Sequence, residues 1–206
     1  MEYKYYDLLS CLTVGISVFC VTVFLLFPEA GIPEITYVPL GYLTGYFLNA
    51  ISSILEHFFY WTIGGKPSDN LLSAKVDHSW TGCRKVKFFF ANEVVEYLRK
   101  DTQDENATKE KMFAYAMQQV NSSPNSRISD FNGHYALSRV VLTATLIVVI
   151  VVEIKFCCIC WSWPLSITAL LLTWNRFKER GYYYAREVLN EYLKTKTAKE
   201  DGNHKI

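Results

Sequence analysis

Leu8–Phe27 reads LLSCLTVGISVFCVTVFLLF, twenty residues without one charged side chain. A hydrocarbon layer about 30 Å thick needs roughly that many helical residues to cross it, so this stretch predicts a membrane-spanning helix. Two further apolar regions follow, Ile35–Ile63 and Val140–Trp174, separated and followed by the charged stretches Gly64–Arg139 and Asn175–Ile206. The chain has 206 residues, half of them hydrophobic. That average suits neither a pure bundle of spans nor an ordinary soluble domain, and it conceals segregation along the sequence.

The net charge of +1 is uninformative, because orientation follows the Lys and Arg near span ends. Of 21 such residues, eleven lie between Lys66 and Arg139 and eight between Arg176 and Lys205, whereas Pro28–Glu34 has none. If Val140–Trp174 is a hairpin turning near Lys155 and Pro164, nearly all the positive charge shares one side. The positive-inside rule makes that side the cytoplasm. The expected organisation is therefore all-α, an integral membrane protein with about two to four transmembrane helices and a small helical cytoplasmic region. Its parts are an N-terminal membrane region at 1–63, a helical cytoplasmic region at 64–139, an apolar hairpin or re-entrant region at 140–174 and a C-terminal amphipathic helix at 175–206. Both termini are expected inside. Phe24–Pro28 offers no small-residue cleavage site, so the first span reads as a retained anchor rather than a signal peptide.

Within the second apolar region, Gly41 and Gly45 have the GxxxG spacing that lets helices approach closely in lipid, within or between subunits, although such spacing also arises by chance. Asn49, Ser52 and Ser53 form a polar stripe expected to face another helix or a wet cavity, and are the candidates for a pore lining or helix interface. Glu56 and His57 then precede the aromatic run Phe58–Trp61, which reads as an interfacial belt.

In the polar middle, Val86, Phe89, Phe90, Val94, Tyr97 and Leu98 recur at helical spacing and predict an amphipathic helix over 84–100. A second helix is predicted over Asn106–Val120, a loop over Asn121–Ser126, and a tail helix over Arg176–Lys199 carrying Tyr182, Val188, Leu189 and Tyr192. With about 75 residues the middle is near the lower limit for a stable core, so it is expected to pack on the tail helix, the membrane or neighbouring copies.

The nucleotide-binding and hydrolase signatures GxxxxGK[ST], HExxH, GxSxG and GxGxxG are missing. Cys157, Cys158 and Cys160 cluster in an apolar stretch without a neighbouring His and read as small filler rather than a metal site. No metal, cofactor or stable small-molecule ligand is expected. His78 beside Asp77, and Glu56 beside His57, read as surface or packing residues. One constellation has a chemistry attached. Arg127 and His134 lie two helical turns apart with Asn132 between them and Arg139 beyond. A phosphate-binding Arg with a proton-moving His is what metal-independent RNA cleavage requires.

On these residues the chain resembles the small membrane accessory protein of type VI-B CRISPR systems. A hydrophobic N-terminal anchor is followed by a helical cytoplasmic part and one Arg-x6-His element, matching the divergent Arg-x(4 to 6)-His motif of HEPN nucleases at its upper limit. The resemblance implies a bacterial inner-membrane protein that strengthens antiphage defence as an oligomeric pore, acting when its RNA-guided RNA-cleaving partner finds a target. Ile128 stands where active HEPN enzymes usually carry a polar residue. With only one motif per chain, Arg127, Asn132 and His134 are expected to tie helices together rather than catalyse. The alternatives are a membrane-tethered HEPN-like RNase, and an anchor or sensor that recruits a soluble partner.

Overall fold

A computed structural model describes residues 3–29, 31–73, 86, 88–104, 106–120, 127–156 and 162–203, with side chains described from residue 11 to residue 198. The fold is all-α, with no strand among the described residues. Its helices are α1 (Tyr3–Leu26), α2 (Tyr37–Thr62), α3 (Pro67–Leu72), α4 (Ala91–Thr102), α5 (Lys109–Val120), α6 (Ile128–Phe156) and α7 (Ser162–Asn203). Pro39 and Pro164 sit in the first turns of α2 and α7, where the missing N–H would have had no helical partner anyway. Among the described residues, Glu34–Leu72 and Ile128–Phe156 are long and apolar enough to cross a membrane, and Cys11–Leu26 is a shorter apolar helix.

Packing divides the chain into two units, one formed by residues 1–59 and 133–177, the other by 60–132 and 178–206. The first is the apolar one. Its core joins Val18 of α1, Leu48 of α2, and Val140 and Ala144 of α6, with Val14, Ile147 and Val148 against them. A second cluster ties α2, α6 and α7 through Phe177, whose ring centroid is 5.6 Å from Phe59 and 5.6 Å from Tyr135. Glu153 and Lys155 do not interrupt α6, which continues to Phe156. The residues joining α6 to α7, including Cys157, Cys158 and Cys160, lie outside the described residues, as do His78, Asp77 and Cys83.

The second unit has the opposite character, with an apolar interior. Val94 and Leu98 of α4, Met112, Ala116 and Val120 of α5, and Tyr182, Ala185, Val188, Leu189 and Tyr192 of α7 recur at the three- and four-residue spacing of one helical face. Leu71, Leu72, Val86 and Ile128 complete the core. Each buried Val or Leu contributes about 1.5–3 kcal/mol, and the tail helix supplies five residues of the core it shares with the middle region. Turn chemistry delivers the chain into this unit. Gly64 and Gly65 take φ of +82° and +110°, which favour glycine, and Gly65 N–H closes the end of α2 by donating to Tyr60 O at 2.8 Å. Pro67 then opens α3 at its first helical position.

The structure corrects one helix. Its start falls at Ala91, and Phe89 and Phe90 lie in the preceding turn. The two phenylalanines therefore stand outside the helix, and they are 83% and 51% exposed instead of buried.

Polar ties fasten the second unit's rim. Tyr192, 1% exposed, donates its hydroxyl to Asp101 Oδ2 at 2.6 Å, and Lys196 pairs with the same carboxylate. Burial and then the Asp101 hydrogen bond push the Tyr192 phenol well above the usual tyrosine range. A raised phenol contributes stability that is complete below the unfolded value of about 10 and is lost as pH rises beyond it, because the unfolded chain releases that proton first. Tyr192→Phe should cost about 1–2 kcal/mol at neutral pH. It should also make the decline of stability above about pH 10 shallower by one proton, as read by denaturant unfolding across an alkaline pH series.

Candidate functional site

Glycines bring α1 and α2 together in the apolar unit. A Cβ built on Gly15 would lie 2.7 Å from Gly45 Cα, one on Gly45 2.9 Å from Cys11 Cα, and one on Gly41 2.8 Å from Ile16 Cα. The atoms met at Gly15 and Gly45 are backbone, which no rotamer change can move aside. Gly41 and Gly45 are therefore committed to a contact within this chain, the close-approach mode of small residues in apolar helices.

The polar stripe beyond them divides. Ser52 is fully buried and donates to Asn49 O at 2.7 Å, while Ser53, on the exposed side, donates to the same carbonyl at 3.1 Å. Both hydroxyls are satisfied inside their own helix. Ser52 therefore packs inside the bundle of this chain, while Ser53 lies on its outer surface.

One turn further along α2 stands the site that sequence reasoning did not assemble. Glu56 accepts a hydrogen bond from Tyr135 Oη at 2.6 Å on Oε1 and one from Arg139 Nη1 at 2.5 Å on Oε2. The Arg139 and Glu56 side chains are only 15% and 24% exposed. Tyr135 and Arg139 are one helical turn apart on α6 and reach the same carboxylate together. Arg139 Nε is buried without a hydrogen-bond partner among the described residues, so the guanidinium's main satisfaction comes through Glu56. Exposed ion pairs are worth about 0–1 kcal/mol, whereas stripping one partner from a buried pair costs about 3–5 kcal/mol. The sequence spacing groups Arg139 with the Arg127 element and reads Glu56, beside His57, as a surface or packing residue. The available signal was the cost of charge in apolar helices, which requires an acid and a base near the ends of two such helices to find each other.

A second inward carboxylate closes α6 onto α7. Glu153 accepts from Ser166 Oγ at 2.7 Å and from Ser162 Oγ at 3.1 Å, and Ser166 is 7% exposed. Cys11 and Cys20 are free thiols. Among the described residues no group of three His, Cys, Asp or Glu side chains could hold a metal ion.

The Arg-x6-His residues are distributed across the two units. Arg127 and Asn132 belong to the second unit and His134 to the first. Arg127 is exposed and precedes the first helical residue, where its carbonyl accepts the N–H groups of Asp130 and Phe131 at 3.1 and 3.3 Å. His134 is an exposed residue of α6, Asn132 is half-buried, and Gly133 lies within the helix. Compared with protein-family models, curated proteins and solved structures, the chain matches none.

Two substitution series test this geometry in detergent-solubilised protein. Gly45→Ala should lower stability by about 1–3 kcal/mol through overpacking against α1. Gly31→Ala, where a Cβ meets nothing within 4 Å, should leave it unchanged. Arg139→Met should cost about 3–5 kcal/mol by leaving Glu56 without its cation, and Glu56→Gln, which keeps an acceptor for Tyr135, should cost less.

Proposed function

We propose that this chain is a multi-pass, non-enzymatic protein of a bacterial inner membrane that self-associates and breaches the bilayer barrier in a defence response. The observation that carries this reading is the inverted polarity of the first unit. Among the described residues, all the exposed large hydrophobics except Trp61, Phe89 and Phe90 belong to it, with Ile35 at 84%, Ile54 at 78% and Leu165 at 74% exposure. Its Glu56, Arg139 and Glu153 are paired or hydrogen-bonded within the bundle. Large apolar side chains outside and satisfied charges inside suit a hydrocarbon solvent and are costly in water.

Placement of the second unit and both termini in the cytoplasm is supported by the bias of Lys and Arg, absent from Pro28–Glu34 and dense after Lys66. Self-association and barrier breach come from the resemblance to the membrane companion of an RNA-guided RNA-cleaving effector. Because Gly41 and Gly45 contact α1, association between copies would use other lipid-facing surfaces. A structural role for Arg127 is supported by its exposed position in the turn before α6, where its carbonyl accepts the N–H groups of Asp130 and Phe131.

Membrane-potential dyes test the reading in cells carrying the protein with an activated effector. Depolarisation that depends on this chain is expected, and sustained polarisation contradicts it. Purified protein should leave RNA intact without metal; cleavage abolished by His134→Ala would establish the nuclease alternative. Cross-linking in membranes should yield multimers, whereas monomers alone would favour an anchor or sensor.

A further inference from the structure

Among the described residues, the second unit packs its large apolar side chains into or against one core, with three exposed exceptions, Trp61, Phe89 and Phe90. Trp61 lies in the last turn of α2, where an interfacial aromatic is expected of a helix leaving lipid. The phenylalanines have no such origin. They occupy the turn that precedes α4, and at 83% exposure Phe89 presents nearly its whole ring. Phe88, beside them, packs against the core and holds the turn to the unit, with its ring centroid 6.5 Å from that of Phe90.

We infer that the turn bearing Phe89 and Phe90 is a membrane-docking element that inserts into the headgroup region of an anionic phospholipid bilayer. Two properties select this occupant over a protein groove. Adjacent aromatic side chains on a turn match the depth of an interface, where a ring rests among headgroups and upper acyl chains. The sequence reaching them, Arg84-Lys85-Val86-Lys87, brings three cations within six residues of Phe90, and basic residues beside an interfacial aromatic are drawn to anionic lipid. The unit is continuous in sequence with the apolar α2, which the proposed function embeds in the bilayer. The inference rests on that membrane reading. It adds a reversible contact through which the cytoplasmic unit would respond to lipid charge.

The test incorporates the photo-cross-linker p-benzoylphenylalanine at single positions of the full chain, in nanodiscs of anionic or purely zwitterionic phospholipid. Position 54, exposed on α2, reports embedding, and position 96, exposed on α4, is the control within the second unit. Phospholipid adducts, seen as mass shifts, are expected at 54, 89 and 90 and not at 96. At 89 and 90 the yield should fall about threefold or more without anionic lipid, while at 54 it should not change. Adducts at 54 with none at 89 and 90 overturn the docking inference and leave the embedding intact. Cross-links from 89 or 90 to protein likewise overturn it. A yield at 89 and 90 that ignores lipid charge overturns the anionic selectivity, and absence of adducts at 54 overturns the membrane reading with it.

Discussion

The constraint on which the structure depends is the cost of placing charge among apolar helices. Glu56 cannot stand alone on α2, and Arg139 cannot stand alone on α6; brought together, with Tyr135 taking the second carboxylate oxygen, they form one neutral, hydrogen-bonded unit. That pairing fixes which turn of α2 faces which turn of α6. The aromatic contacts of Phe59, Tyr135 and Phe177 pack beside it and add α7. Directional polar contacts specify the register, and dispersion between rings fills the space the register defines.

The same economy recurs with different means elsewhere in the apolar unit. Between α1 and α2, Gly15, Gly41 and Gly45 set the approach by removing side chains altogether. Between α6 and α7 two serine hydroxyls satisfy Glu153. Isolated hydroxyls such as Ser52, Ser53 and Thr143 bond back to carbonyls of their own helices. Polarity inside an apolar helix is thus no guide to a water-filled path, because hydroxyl groups are cheaply satisfied locally while carboxylates require a partner.

Much of the fold was legible in the sequence, for reasons visible at single residues. The three- and four-residue recurrence of Met112, Ala116 and Val120, and of Tyr182, Val188 and Leu189, specified both helices and their buried faces. The Gly64, Gly65 and Pro67 run marked the end of α2 because two of those positions need a backbone that other residues rarely adopt. Apolar spacing carries the expected helix back through Phe89 and Phe90, although a turn holds them and the helix starts at Ala91. Periodicity cannot register where a helix begins when an apolar turn precedes it. The Glu56 and Arg139 pair was not assembled because its members are 83 residues apart. Hydropathy ends the polar middle at Arg139, whereas packing separates the units at Gly133. Only three-dimensional pairing places Arg139 with the apolar helices.

A charge-swap cycle on the full chain in lipid nanodiscs measures this pairing directly. Glu56→Arg and Arg139→Glu each place like charges in contact and should sharply lower the unfolding midpoint, while the double variant, with the charges exchanged, should recover a large part of the loss. A double variant no more stable than the worse single one would contradict the account, since the two side chains would then act independently of each other.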